Sequence, residues 1–315
     1  MIVQLVIVLF QLLIILALAP LLNGLIKKVK AFFTLRKGPG LFQSYHELIK
    51  LMRKDSVVSD KASWLFHAAP VISFASILAA GLLIPLYATV LPLGFAGDLI
   101  AVVYLFALAR FFIALAALDT GSSFGGMGAS REMFVASLVE PAMMLSIFAV
   151  AVNVGTTNLG LISSEVSLQG FGVMSPSHLL AFVAFFIIAI AETGRIPVDN
   201  PATHLELTMI HEAMILEYSG KQLAMVELGV MVKQLLVFSL LANIFFPWGI
   251  SSGLNIGMVA SLLFFVIKVG VLGVCMAVVE STTAKWRLFR LSDLMSISLM
   301  MAFLAIVFVI IMRGV

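Results

Sequence analysis

The residues of this sequence that are best suited to chemistry lie between Glu192 and Gly220, in the stretch ETGRIPVDNPATHLELTMIHEAMILEYSG. This stretch holds five of the sixteen acidic residues and two of the five histidines. Carboxylates gathered in a medium of low dielectric repel one another, which raises their pKa values towards neutrality, and histidine already titrates there. The stretch suits reversible proton binding, but an acidic loop in full contact with water would contain the same residues, and the pattern leaves the two interpretations balanced.

Zinc binding is the other chemistry that the stretch could support, through His204, His211 and Glu212. The metalloprotease pattern places a second histidine four residues after the first, and position 215 is an isoleucine. The chain has one cysteine, Cys275, and one thiol cannot hold an iron–sulfur cluster, so we expect Cys275 to be an apolar packing residue. We therefore predict no metal, no cofactor and no catalytic residue in this chain.

Four more ionisable side chains fall inside apolar runs: Arg110, Glu140, Lys233 and Lys268. A charged side chain in the middle of a lipid-facing helix costs about 3 kcal/mol, so we expect these groups to face inwards, paired or wetted. Glu140 is too short to reach the interface, and Pro141 loosens the helix beside it, so proton transfer is favoured there over a structural ion pair. For Arg110 the two interpretations are balanced.

The elements that must position these residues are membrane helices. Only 11% of the 315 residues are charged, against about a quarter in a soluble domain, and the mean hydropathy is +1.16. Several apolar runs are long enough to cross ~30 Å of hydrocarbon. We predict an all-α polytopic membrane protein with a single membrane domain over 1–315 and eight spans, at 3–25, 65–91, 98–117, 133–153, 178–193, 223–246, 255–279 and 291–312.

Basic residues give the orientation. Fifteen of the nineteen lysines and arginines lie in the odd-numbered loops, so the positive-inside rule makes those loops cytoplasmic and puts both termini outside. We expect a multi-pass protein of a prokaryotic cytoplasmic (inner) membrane.

The cytoplasmic loops carry three predicted features. Apolar and basic residues alternate at helical spacing over about 41–54, which predicts an amphipathic helix that either anchors to lipid or docks a soluble partner. Glycines and serines over 119–133 predict a turned or mobile loop. A helix is predicted within the acidic loop at about 194–220, beginning near Pro201. The loop at 154–177 is polar and suggests no chemistry.

Three segments resemble motifs of one family: LRKGPGLFQSYHELIKLMRK in the first loop, GASREMFVASLVEP in the third loop and fourth span, and the acidic stretch itself. The family is the membrane subunit shared by respiratory complex I and the group 4 [NiFe] hydrogenases. The resemblance is closer to the hydrogenase branch, of the hydrogenase-4 component C and formate hydrogenlyase type. Thr203 and His204 stand where complex I members usually have carboxylates, which puts a quinone site in doubt.

This resemblance implies a subunit that is not catalytic alone and that serves an oxidoreductase complex. It implies docking of a soluble arm by the basic residues Arg36, Lys37, Arg131 and Arg195. It also implies a proton path that couples redox chemistry to ion translocation, formed by Glu140, Glu192, Asp199, Glu206, Glu212 and Glu217, with Lys233 and Lys268 carrying it sideways.

The implied partners are soluble hydrogenase-like large and small subunits, a ferredoxin-like Fe–S subunit and antiporter-like membrane subunits, within a lipid bilayer and without nucleic acid. Fe–S clusters and a Ni–Fe centre are expected in those partners. The alternatives are a quinone-site subunit of a complex I-type NADH:quinone oxidoreductase and a stand-alone ion transporter.

Overall fold

A computed structural model describes residues 2–59, 61–89, 97–199, 209–251 and 257–314. Helices and turns make up these residues, with two isolated β-bridges and no named strand among them. The helices in chain order are α1 (Ile2–Phe33), α2 (Gln43–Met52), α3 (Trp64–Leu83), α4 (Leu99–Asp119), α5 (Ser123–Val154), α6 (Leu159–Gln169), α7 (Pro176–Glu192), α8 (His211–Ile215), α9 (Gly220–Phe245), α10 (Gly257–Thr282) and α11 (Leu288–Gly314).

Seven of these helices are long and apolar enough to cross a membrane, and α7 is a shorter apolar helix of 17 residues. At 1.5 Å per residue α7 is about 26 Å long, slightly less than the hydrocarbon thickness. The chain is therefore an all-α, multi-pass membrane protein, as predicted.

Three predicted span boundaries are wrong: the end of the first span, the end of the second and the start of the fourth. The first helix does not end at residue 25 but continues to Phe33, because an apolar helix can leave the membrane with Lys27, Lys28 and Lys30 on its last turns. The second span ends at Leu83 rather than at 91. Pro85 follows two residues later, and a proline disfavours helical geometry in the residue before it.

The glycine-rich segment at 119–133 is not a loop. Helix α5 begins at Ser123, so only a short turn separates it from α4. A Cβ atom added at Gly128 would lie 2.9 Å from the Cβ of Ala213 and 2.9 Å from the carbonyl oxygen of Ile210. The glycine therefore allows α5 to pack closely against the fifth loop, and this packing outweighs the low helix propensity of glycine.

Helix α9 is the centre of the bundle. In its most apolar window 83% of the residues are buried, against 28% in α10 and in α11. Helices α1, α2, α3, α6, α7 and α10 all contact α9. Polar side chains on α9 are therefore shielded from lipid, whereas the outer helices expose apolar faces. Cys275 on α10 is a free, exposed cysteine and lies outside the buried core of the bundle.

Among the described residues, the loops contain three short α-helices and one 3-10 helix, Gly170–Val173. In the first loop, α2 lies within the range predicted for an amphipathic helix and buries Ser44 and Leu48. The loop at 154–177 contains α6, which was not predicted. This helix begins at Leu159, and the side chain of the preceding Asn158 accepts hydrogen bonds from the Gly160 and Leu161 amides.

The acidic loop differs from the prediction of a helix at 194–220. Its described part has one helix, α8, of five residues, and residues 194–199 form turns. The predicted helix start near Pro201 lies outside the described residues.

Candidate functional site

A buried arginine lies at the centre of the site. Arg110, on α4, is 7% exposed and binds three carboxylates. Its Nε is 3.1 Å from Glu132, its Nη1 is 2.5 Å from Glu140, and its Nη2 is 2.5 Å from Glu192. A guanidinium group can bind several carboxylates at once because its five N–H donors form a planar fork.

Lys233 on α9 extends this group of charges. Its Nζ is 2.7 Å from Glu192, so the Glu192 carboxylate bridges Arg110 and Lys233. We call these five residues the Arg110 cluster: Arg110, Glu132, Glu140, Glu192 and Lys233. They come from α4, α5, α7 and α9, and together they satisfy charges that would be costly if left unpaired within a membrane.

The Arg110 cluster has more carboxylates than cations. When all five groups are ionised, three negative charges face two positive ones. One carboxylate can therefore hold a proton without leaving a cation unpaired. Glu192 is almost fully enclosed, with 1% of its side chain exposed, whereas 31% of the Glu140 side chain is exposed. Of the three carboxylates in the Arg110 cluster, Glu140 is the one that a neighbouring molecule could reach most easily.

A second group of charges lies beside the first. Glu280, on α10, is 3.0 Å from Lys30 and 3.4 Å from Arg195. Arg195 also donates to Asn23 at 2.9 Å and to Gln234 at 2.7 Å. Gln234 follows Lys233 directly on α9, so the two groups meet on that helix.

The four predicted docking residues occupy different positions. Arg36 and Lys37 are exposed in the first loop. Arg131 donates to the carbonyl oxygen of Met209 at 3.3 Å and so holds the fifth loop. Arg195 has only 14% of its side chain exposed, and its guanidinium is committed to contacts inside the chain.

Asp199 organises the described part of the acidic loop. One of its carboxylate oxygens accepts hydrogen bonds from the amides of Ile210 and His211, at 3.1 and 3.0 Å. The other oxygen is 3.0 Å from Lys285. Asp199 is 3% exposed, so its carboxylate closes this loop and holds α8 in place.

Glu212 is the next acidic residue along this loop. Burial raises the pKa of its carboxyl, and the nearby carboxylates Glu227 and Asp199 raise it further, against opposing effects of His211 and Lys27. Glu217, five residues later, is exposed. Glu206 lies outside the described residues.

Lys268 is not part of the Arg110 cluster. Its Nζ donates to Asn243 Oδ1 at 2.7 Å and to the Phe246 carbonyl at 3.1 Å. Asn243 is ten residues beyond Lys233 on α9, which is about 15 Å along the helix. The structure thus brings Glu140, Glu192 and Lys233 together and leaves Lys268 near the opposite end.

Sequence reasoning left out two members of the site. Glu132 was assigned to a loop, and Arg110 was left undecided between a structural and a functional role. The signal that could have identified them is the presence of Arg110 in one span and Glu140 in the next, since each would be costly alone. In the described part of the chain, no group of three or more histidine, cysteine, aspartate or glutamate side chains is placed to hold a metal ion.

Known proteins resemble this chain over nearly its whole length. Hydrogenase-4 component C of Escherichia coli strain K12 is 35% identical over 300 residues, covering 95% of this chain and 93% of the relative. Formate hydrogenlyase subunit 4 of the same organism is 34% identical, covering 89% and 90%. A subunit of the NADH-quinone oxidoreductase of Anaplasma phagocytophilum strain HZ is 30% identical, covering 85% and 84%.

A solved structure shares the fold. It is a chain in the membrane-bound sulfane sulfur reductase, an archaeal respiratory membrane complex, with a TM-score of 0.83 at 21% identity over 96% of this chain and 99% of that chain. The model of the family described as NADH dehydrogenase matches residues 4–312. With these relatives among hydrogenase and complex I-type membrane subunits, the chain belongs to the NADH dehydrogenase family of membrane subunits.

Proposed function

We propose that this chain is the membrane subunit of a group 4 [NiFe] hydrogenase-like complex, in which it anchors the soluble electron-transfer arm and relays protons. The observation that carries the proposal is the Arg110 cluster, with its bridged Glu192 carboxylate and its excess of one carboxylate. Such a cluster exceeds what a structural ion pair requires, because pairing Arg110 needs only one carboxylate.

The proton path begins at the acidic loop. Burial raises the pKa of the Glu212 carboxyl and so favours its protonated form, which suits a group that takes up protons. Asp199 fixes the position of α8, the helix that carries Glu212. From there the proton passes to the Arg110 cluster, where Glu140 and Glu192 share it. We also assign to this path Glu217, which is exposed, and Glu206, which lies outside the described residues.

Glu140 is the point at which the path leaves the chain. Its carboxylate is bound to Arg110 yet partly exposed, so an antiporter-like membrane subunit placed beside α5 could exchange protons with it. A redox event in the docked arm changes the electric field at the loop. The altered field changes which carboxylates of the loop hold a proton. This change in proton occupancy then spreads through the Arg110 cluster to the neighbouring membrane subunit.

Electron transfer belongs to the partners. The first loop presents Arg36 and Lys37 on the surface, and these cations suit a soluble arm formed by hydrogenase-like large and small subunits and a ferredoxin-like Fe–S subunit. The Fe–S clusters and the Ni–Fe centre lie in those chains. If the soluble arm docks on the first loop from the cytoplasm, the odd-numbered loops lie in the cytoplasm and both termini lie outside.

A quinone-reactive subunit is the second candidate function. The observation in its favour is an apolar groove of about 170 Å³ near the basic end of the bundle, lined by Leu18, Leu21, Leu22, Leu25, Leu41, Leu235, Val266, Val269 and Gly270. Known ligand pockets usually measure about 300–1,000 Å³, so the groove would accept part of an isoprenoid tail. Quinone-dependent turnover that stops when a quinone-site inhibitor is added would favour this candidate.

Native isolation tests the proposed function. The chain is tagged in its own organism, extracted in mild detergent and purified, with an untagged strain as the control for background. We expect nickel and iron in the purified fraction, together with hydrogenase-like and ferredoxin-like chains identified by mass spectrometry. A chain that purifies without any metalloprotein would contradict the anchoring role, and iron without nickel would contradict the hydrogenase assignment.

A further inference from the structure

We propose that the seventh loop and the first turn of α11 form a binding site for an anionic phospholipid, whose phosphate is held by Arg287 and Arg290. We call Trp286, Arg287, Phe289 and Arg290 the Arg287 site. The site lies outside the Arg110 cluster and the acidic loop. It requires only that the chain lies in a bilayer, so it does not depend on a hydrogenase-like partner.

The two arginines stand side by side at the start of α11. The amides of Arg290 and Leu291 both donate to the carbonyl oxygen of Arg287, at 3.0 and 3.2 Å, so Arg287 immediately precedes the first turn and Arg290 lies within it. Both arginines are exposed, and neither takes part in an ion pair among the described residues. Their planar guanidinium groups therefore have donors available for the oxygens of a phosphate group.

The backbone that carries the arginines is held in place by the fifth loop. The Lys285 ammonium is 3.0 Å from Asp199, and the Trp286 amide donates to the carbonyl oxygen of Pro197 at 3.1 Å. The charge of Lys285 is thereby offset inside the chain, and Arg287 and Arg290 supply the exposed positive charge. A site that is already ordered loses less conformational entropy when it binds a ligand.

One face of α11 continues from the arginines into the hydrocarbon. At 27 residues α11 is about 40 Å long, so its ends reach beyond the ~30 Å hydrocarbon. Exposed apolar side chains recur along this face at helical spacing: Phe289, Ile297, Met300, Leu304, Phe308 and Ile311. The distance from Phe289 to Met300 along the helix is about 16 Å, which is close to the depth of one leaflet. The first part of this stripe therefore matches the length of one acyl chain.

A phospholipid suits this surface better than a protein does. Trp286 is 37% exposed and Phe289 is 83% exposed, and tryptophan is typical of the level where hydrocarbon meets headgroups. A soluble partner could cover the arginines but not the apolar stripe, and a transmembrane helix that covered the stripe would also need a carboxylate for the arginines. One anionic phospholipid satisfies both parts, because its phosphate binds the cations and its acyl chain lies along the stripe.

Asp293 opposes the two cations. It is exposed and lies three residues beyond Arg290 on α11, about 4.5 Å further towards the hydrocarbon. Its carboxylate repels a phosphate, so the net charge that a lipid headgroup meets here is one positive charge rather than two. Removal of this carboxylate should therefore strengthen lipid binding, whereas removal of the arginines should weaken it.

Quenching of Trp286 fluorescence tests the site. Trp64→Phe and Trp248→Phe leave Trp286 as the one tryptophan of the three in the chain, and the full chain is placed in phosphatidylcholine vesicles. Phosphatidylglycerol or phosphatidylcholine with brominated acyl chains is then added, since bromine quenches the tryptophan that it contacts. We expect a preference for phosphatidylglycerol of about 5-fold, the scale of one positive charge near anionic lipid.

The variants should shift this preference in opposite directions. Arg287→Gln combined with Arg290→Gln should abolish the preference and leave quenching by phosphatidylcholine in place, which shows that the chain is still inserted. Asp293→Asn should raise the preference by a further factor of about 5. Arg53→Gln, at an exposed position outside the site, is the matched control and should keep the wild-type preference.

Equal quenching by the two lipids in the wild type would overturn the proposal, as would an unchanged preference in the double variant or a lower one in Asp293→Asn. Arg290→Gln alone decides the question if the double variant does not insert, because it should still lower the preference. The intact complex that carries Arg290→Gln should keep all its subunits in native mass spectrometry. Loss of a subunit would show that protein, not lipid, covers the Arg287 site.

Discussion

At the scale of single residues, the stability of the bundle depends on the ion pairs that Arg110 forms. Arg110 is held by carboxylates from α5 and α7, and Glu192 is in turn held by Lys233. Residues 110 and 192 are 82 positions apart in the chain. The sequence predicts that each charge needs a partner, but only the folded bundle determines which partners it has.

Replacing Arg110 tests this dependence. Arg110→Met removes the cation and leaves the three carboxylates with Lys233 alone, so we expect a loss of about 3–5 kcal/mol in the free energy of unfolding, as for other broken buried pairs. Denaturation of the protein in detergent micelles measures the change. Arg53→Met, at an exposed position at the end of α2, is the matched control and should change the free energy by less than about 0.5 kcal/mol.

The pH dependence of stability has a defined sign at Glu212. Burial raises the pKa of this carboxyl in the folded protein, so the folded state binds the proton more tightly than the unfolded state does. Stability is therefore lost as the pH rises from the unfolded pKa to the raised folded pKa. Glu212→Gln cannot ionise and escapes this loss.

We accordingly expect Glu212→Gln to have a higher melting temperature than the wild type at pH 8 and nearly the same one at pH 4. Thermal melts at both pH values measure the difference. Glu217→Gln removes an exposed carboxyl five residues away and should show no such dependence. A Glu212→Gln melting curve that tracks the wild type at both pH values would rule out the raised pKa.

At the scale of elements, apolar length predicts the spans well, whereas packing decides where the helices begin and end. The seven long helices and α7 follow from runs of apolar residues. The start of α5 could not be predicted in this way, because the glycines at 125, 126 and 128 indicate a loop when the chain segment they face is unknown. Helix α6 was missed because its residues are polar enough to read as a loop.

Two nearby glycines of α5 distinguish the effect of close packing on stability from the effect of helix propensity. A Cβ at Gly128 would lie 2.9 Å from the Ile210 carbonyl oxygen, whereas at Gly126 the nearest atom would be Leu118 Cδ2, at 3.8 Å. We expect Gly128→Ala to destabilise the protein by about 1–3 kcal/mol through overpacking. Gly126→Ala should stabilise it by up to about 1 kcal/mol, because alanine favours the helix. Unfolding measurements that give the two variants the same sign would contradict close packing of α5 on the fifth loop.

At the scale of the whole molecule, charge is arranged in layers across the bundle. The Arg110 cluster and the neighbouring Glu280 contacts lie towards the basic loops, whereas Lys268 and His178 share the far end of α9. The sequence predicted most of the charged members, and it predicted the family through its motifs. It could not predict that Lys268 is separated from Lys233, because both lie mid-span and their distance depends on how α9 and α10 pack.

The most direct test of the account is the ratio of protons taken up to electrons transferred in vesicles that contain the complex. We predict that Glu140→Gln leaves assembly and electron transfer in place and slows proton uptake by about 100-fold, because the Arg110 cluster loses its accessible carboxylate. Glu165→Gln, which removes an exposed carboxylate on α6, should keep the wild-type ratio. An unchanged ratio in Glu140→Gln would contradict the assignment of proton transfer to the Arg110 cluster.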